Sequence, residues 1–172
     1  MKESIYEKIK GVTVMRNVYL DYSATTPVKE EVLKEMIPYF TEKFGNPSSL
    51  YDKGLEARDA VTHAREQVAA LINADPSEIF FTAGGTEADN WAVFGATDKL
   101  KEKGNHIITT KIEHHAMLHS CAFLEKHGFD VTYLDIDKDG RVDLQQLKDS
   151  ITDKTILISV MMVNNEIGTV QP

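Results

Sequence analysis

A single cysteine among 172 residues rules out an internal disulfide, and a lone thiol suits a reducing compartment. Long hydrophobic runs are also missing. The longest, Ile156 to Val163, is interrupted by Ser159 and falls far below the roughly 20 apolar residues that a membrane helix needs. It suits a buried strand instead. No charged leader followed by an apolar stretch and a cleavage site opens the chain, so a soluble, cytoplasmic protein is expected. Basic residues are outnumbered, 19 against 27 acidic ones, and they are scattered rather than gathered into a stripe, which argues against nucleic acid as a partner. There is no internal repeat and no low-complexity segment. What is present, 42% hydrophobic residues over this length, supports one domain with a real core, whereas two domains would each be small.

The opening residues 1–17 are charged and irregular and read as an N-terminal extension, with Met15 an alternative start. Helical spacing of Val32, Met36 and Tyr39 or Phe40 predicts a helix over Val28 to Phe40, and Phe44 to Ser49 reads as a loop. A longer helix is expected from Gly54 to Ala74, with Val61, Ala64, Val68, Leu71 and Ile72 as its apolar stripe. From Glu78 onward strands and helices alternate. Strands are expected at Ile79 to Thr82, His106 to Thr110, Val131 to Leu134 and Thr155 to Val163, and helices from Thr86, from about His115 and over Asp143 to Ile151. That alternation predicts an α/β fold built on a parallel sheet with flanking helices. Such sheets bind ligands beyond the carboxyl ends of their strands, and polar clusters fall there at Gly84 to Thr86, Glu113 to His115 and Asn164 to Glu166.

Phe81 to Asn90 breaks a strand-like run at paired glycines and restarts as a helix opening on Thr86. Glycine admits close approach of a ligand, and free N–H groups at a helix start favour an anion, so this segment is a candidate phosphate cradle. The same pattern also joins an ordinary strand to a helix. His114, in a loop at a strand end, can lie flat on a planar ring or simply be solvated. Asn165 can donate to a ring oxygen or close a turn. Together the three suggest a phosphorylated aromatic cofactor. Asp135 to Val142 fits the first eight positions of a calcium loop, but position twelve is Gln146 and no helix enters, so a polar turn with Asp143 capping the next helix is expected. His115 and His119 stand four apart without an evident third ligand, and no metal site is assigned. Cys121 reads as a buried structural thiol rather than a nucleophile.

Five blocks, in order, resemble the cysteine desulfurases of the NifS/IscS type within the class V aminotransferase family: Tyr19 to Pro27, Phe44 to Ser49, Phe81 to Asn90, Glu113 to Ala116 and Val163 to Gly168. The resemblance implies the N-terminal part of the large domain of a fold-type I enzyme dependent on pyridoxal 5'-phosphate. Such enzymes are usually homodimers and remove sulfur from L-cysteine to leave L-alanine, passing the sulfur to an acceptor or an iron–sulfur scaffold protein. By resemblance Gly85 and Thr86 bind the cofactor phosphate, His114 stacks on the pyridine ring and Asn165 contacts it near the phenolic oxygen. Ala24, Thr25 and Thr26, with Asn46 to Ser49, line the substrate entrance.

Ala83-Gly84-Gly85-Thr86 departs mildly from the family's usual Ser-Gly-Ala-Thr, and Tyr51 stands where many relatives have histidine. The larger departure is length. The resemblance runs from Val18 to Pro172, well under half of a family member, so the chain is expected to be an N-terminal fragment. The family's cofactor-bearing lysine, the aspartate at the pyridine nitrogen, a glutamine near the ring oxygen and the sulfur-accepting cysteine all lie further along than these residues. Neither Lys111 nor Cys121 matches those positions. The isolated chain is therefore expected to be inactive and prone to aggregation through uncovered sheet edges and apolar faces. A non-catalytic cofactor-binding or interaction module, or part of a selenocysteine lyase or other class V enzyme, are the alternatives.

Overall fold

The computed structural model describes residues 17–172, so the N-terminal extension and Met15 lie outside the described residues, apart from Asn17. Five helices are present among them: α1 (Glu30–Thr41), α2 (Asp52–Ile72), α3 (Gly85–Leu100), α4 (His115–Glu125) and α5 (Leu144–Ser150). Three strands accompany them: β1 (His106–Thr110), β2 (Asp130–Leu134) and β3 (Thr155–Ile158). The strands form one parallel sheet in the order β2-β1-β3. This is the expected α/β architecture, with each strand joined to the next through a helix.

Central β1 is buried at every residue, which its unbroken Ile107-Ile108-Thr109-Thr110 run requires. One face carries the core cluster of Val93 from α3, Ile107, and Met117, Cys121 and Leu124 from α4. At the amino end of the sheet His106 ties all three strands together: Nδ1 bonds the Thr155 hydroxyl at 2.8 Å and Nε2 the Thr132 hydroxyl at 2.9 Å. Short polar devices end the helices. Asn73 takes the left-handed conformation after α2, Asp75 and Glu78 form a reciprocal cap on the following turn, and Asp143 caps α5 by accepting from the N–H groups of Gln145 and Gln146.

Three expectations need correction. Ile79 to Thr82 is not a strand. Among the described residues no strand pairs with it: the Ile79 N–H bonds the Pro76 carbonyl, the Arg65 guanidinium bonds the Ile79 carbonyl and the Thr82 hydroxyl donates to the Gly84 carbonyl at 3.1 Å. The last strand ends at Ile158 rather than Val163. After the Ser159 N–H bonds the Ile108 carbonyl, the Met161 N–H turns to the Glu113 carboxylate instead of a ladder carbonyl. On α2 the expected apolar stripe is uncovered, with Leu71 84% exposed, and the small residues Gly54, Ala57 and Ala69 are buried instead. The helix lies close to the Asn46 loop, where a Cβ on Gly45 would sit 1.9 Å from the Lys53 carbonyl oxygen.

The hydroxyl of Thr109 is buried without a hydrogen-bond partner among the described residues. Thr109→Val is therefore expected to raise stability by about 1 kcal/mol or more, whereas Ile107→Ala, which empties the core cluster, should lower it by about 2–5 kcal/mol. Denaturant titration of both variants is the check. A destabilised Thr109→Val would show that the hydroxyl has a partner in solution.

Candidate functional site at the carboxyl edge of the sheet

Parallel pairing of β1 with β3 sends the segments that follow them off the same edge of the sheet. The first carries Glu113 and His114, and the second carries Asn164 and Asn165. His114, Asn165 and Lys111 line one cleft of about 240 Å³ there, so the structure brings the two expected ring-facing groups together. Thr86 lies at the start of α3, which packs on α4 and is joined to it by the Ser120 hydroxyl donating to Asn90 Oδ1 at 3.0 Å. A neighbouring cleft is lined by Thr86 and Asn90 from α3 and by Ala116 and His119 from α4. Ala116 follows His114 by two residues.

The cradle has the features an anion needs. Gly84 precedes the 16-residue α3, and the N–H groups of Gly85, Thr86 and Glu87 have no hydrogen-bond partner among the described residues. The helix dipole and these free donors face the same space. A Cβ on Gly84 or Gly85 would meet nothing within 4 Å, so protein packing does not require these glycines and the space before them is open. The Thr86 hydroxyl is likewise uncommitted among the described residues. Gly84, not Thr86, occupies the cap position of the helix. The Glu87 carboxylate, a competing anion, is held back on the Ala83 N–H.

His114 is the cap residue of α4, and its Nδ1 accepts from the Ala116 N–H at 3.2 Å. That contact orients the ring and, in the neutral imidazole, leaves the proton on Nε2. The ring itself is exposed. Asn165 is exposed too, and no described residue engages its carboxamide, whereas its neighbour Asn164 is buried and fully committed to hydrogen bonds. Lys111 forms an ion pair with Asp135, which holds that carboxyl below the usual carboxylate range.

Among the described residues the hydrogen bonds of Ala24, Thr25 and Asn46 are local and none reaches this edge. The N–H groups of Ala24 and Thr25 bond back to the Asp21 carbonyl, and Asn46 Oδ1 closes a turn by accepting from the Ser48 N–H at 2.9 Å. Arg58 on α2 pins that loop through the carbonyls of Pro47 and Ser49, both at 3.1 Å. Asp137 accepts from the N–H groups of Asp139 and Arg141, making the Asp135 to Val142 segment the expected polar turn, with Gly140 at φ +76°. Among the described residues no three histidine, cysteine or carboxylate side chains gather as a metal site, and the His115 and His119 rings stack at 5.6 Å. No helix there is long and apolar enough to cross a membrane.

The family description Aminotransferase class-V matches residues 18–172. The chain belongs to the class V aminotransferase family. Within it, the chain is 60% identical over 157 residues to the cysteine desulfurase IscS of Clostridium botulinum (strain Hall / ATCC 3502 / NCTC 13319 / Type A), covering 91% of this chain and 40% of that protein. It is 54% identical over 160 residues to the cysteine desulfurase IscS of Methanosarcina thermophila, covering 93% of this chain and again 40% of the relative. Among solved structures it is similar to a NifS-like protein (TM-score 0.88, 43% identity, covering 91% of this chain and 43% of that one). A second similar structure, SspA in complex with cysteine, has a TM-score of 0.85 and 45% identity, covering 90% of this chain and 44% of that one. This class V chain therefore spans about two fifths of the length of the relatives it matches.

Cys121, on the buried face of α4, is the one thiol of this class V chain. Burial, with smaller contributions from the Glu125 and Glu113 charges, pushes it up to about 11. The thiolate is then about one part in a thousand at pH near 8. Iodoacetamide is expected to label Cys121 only after denaturation, read by intact mass, and rapid labelling of the folded protein would contradict its burial.

Proposed function

We propose that this chain supplies the phosphate-binding and ring-facing residues of a cysteine desulfurase that works with pyridoxal 5'-phosphate, taking sulfur from L-cysteine and leaving L-alanine. The observation that carries the reading is the pairing of an oriented, exposed His114 with an unengaged Asn165 carboxamide in one cleft at the carboxyl edge of the sheet, together with uncommitted N–H groups at Gly85 and Thr86 at the start of α3, the helix that packs on α4. Its support is the identity to cysteine desulfurases over nine tenths of the chain. When bound, the cofactor draws electrons from the substrate α-carbon into its ring.

Each residue has a distinct task in this proposal. Gly85 and Thr86 hold the dianionic phosphate through backbone N–H groups and the Thr86 hydroxyl. His114, locked by the Ala116 N–H on one edge, offers its face to the pyridine ring. Asn165 donates its amide to the ring oxygen. Ala24, Thr25 and Asn46 belong to the approach to the substrate, with Arg58 keeping the Asn46 loop in shape. Lys111 is engaged by Asp135 and Cys121 is buried, so neither is assigned as the cofactor-bearing lysine or the sulfur acceptor. Those two groups come from elsewhere in the enzyme, and the 172 residues alone are expected to bind without turnover. A homodimeric enzyme in the cytoplasm, delivering sulfur to an acceptor or an iron–sulfur scaffold protein, completes the reading.

Titration of the protein with pyridoxal 5'-phosphate tests it. Thr86→Val is expected to weaken binding about tenfold through loss of a hydrogen bond to a charged oxygen, and His114→Ala by about two- to tenfold through loss of stacking. Sulfide release from L-cysteine is expected to be absent from the 172 residues alone. Binding unaffected by either substitution would remove the assignment.

A further inference from the structure

Resting on that cofactor reading, we propose that Glu113 and Asn164 are positioning residues that latch the His114 loop to the Asn165 loop and so set the spacing of the two ring-facing groups. The ladder between β1 and β3 does not do this. Its last bond joins the Ser159 N–H to the Ile108 carbonyl, several residues short of either site residue.

Beyond that bond the two loops are tied by side chains. Glu113 Oε1 accepts from the Thr110 hydroxyl at 3.0 Å, at the end of β1, and from the Met161 N–H at 2.8 Å, in the segment after β3. The carboxylate immediately before His114 thus grips the chain that leads to Asn165. Asn164 returns the contact. Its Nδ2 donates to the Ile112 carbonyl at 3.0 Å and lies 3.3 Å from Met161 Sδ, while its Oδ1 accepts from the N–H groups of Glu166 and Ile167 at 2.9 and 3.0 Å. Asn164 is only 7% exposed, so these polar groups have no ready replacement in water. Each latch residue adjoins a site residue in sequence and bonds to the opposite loop. The His114 ring, oriented by Ala116, and the Asn165 carboxamide can then stay exposed while their backbones are held.

The test compares the wild-type protein with Glu113→Ala, Glu113→Gln, Asn164→Ala and Asn164→Asp. In ligand-free protein, amide hydrogen exchange at Glu166 and Ile167 should quicken about tenfold in Glu113→Ala, although Glu113 touches neither. Exchange at Ala116, which His114 holds, should quicken in both Asn164 variants, since both lose the donor to Ile112. With pyridoxal 5'-phosphate, Glu113→Ala and Asn164→Ala should weaken binding about tenfold and reduce the ligand's induced circular dichroism. Glu113→Gln, whose amide oxygen still accepts both donors, should keep exchange, affinity and dichroism close to wild type. If exchange quickens only at Met161 and dichroism is unchanged, or if Gln fails as Ala does, the positioning role is overturned. Should Glu113→Ala or Asn164→Ala fail to fold, Asn164→Asp against Glu113→Gln still decides it. A wild-type protein that binds no pyridoxal 5'-phosphate sinks the cofactor reading instead, and the exchange data still decide the latch.

Discussion

Everything at the candidate site depends on the parallel pairing of β1 with β3. Because both strands point the same way, the chain leaves them at one edge, and residues 51 apart in sequence, His114 and Asn165, come to line a single cleft. The helices reinforce this. Packing of α3 on α4 around Val93, Met117, Cys121 and Leu124 brings the glycine-opened start of α3 to the same side. The apolar core is thus the platform, and the polar groups at its rim are those it leaves unpaired.

Around that platform much apolar surface is uncovered. No residue of α1 is buried, and Phe40 at 70% exposure sits on a helix whose acidic first turn and apolar spacing are otherwise those of a packed element. Phe80 and Trp91 meet edge to face at 5.3 Å at the surface, beside the unpaired segment Ile79 to Thr82. Large apolar side chains on α1, on α2 and in this segment are exposed, among them Phe40, Leu71 and Phe80.

From β1 onward the strands and helices, apart from the end of β3, were legible because buried runs alternate with capped helices, with Asp143 at one boundary. What could not be read was pairing. Ile79 to Thr82 has strand composition, but a strand exists only where a neighbour offers its carbonyls, and composition does not report the neighbour. The α2 stripe misled for the same reason, since Val68 and Leu71 mark the face that prefers burial without saying what lies opposite. At the site, His114 and Asn165 were visible as polar residues in the segments that follow two strands, and Thr86 as a hydroxyl at a glycine-opened helix start. Asn164 and Glu113 were visible only as neighbours in those clusters, because their contacts span 52 and 48 residues and leave no local spacing signal.

The most direct measurement is a structure of the protein with pyridoxal 5'-phosphate. Phosphate oxygens within hydrogen-bond reach of the Gly85 and Thr86 N–H groups, with the ring against His114 and its oxygen toward Asn165, is the predicted result. A phosphate seated away from the start of α3, or a ring that leaves His114 and Asn165 untouched, would contradict the account.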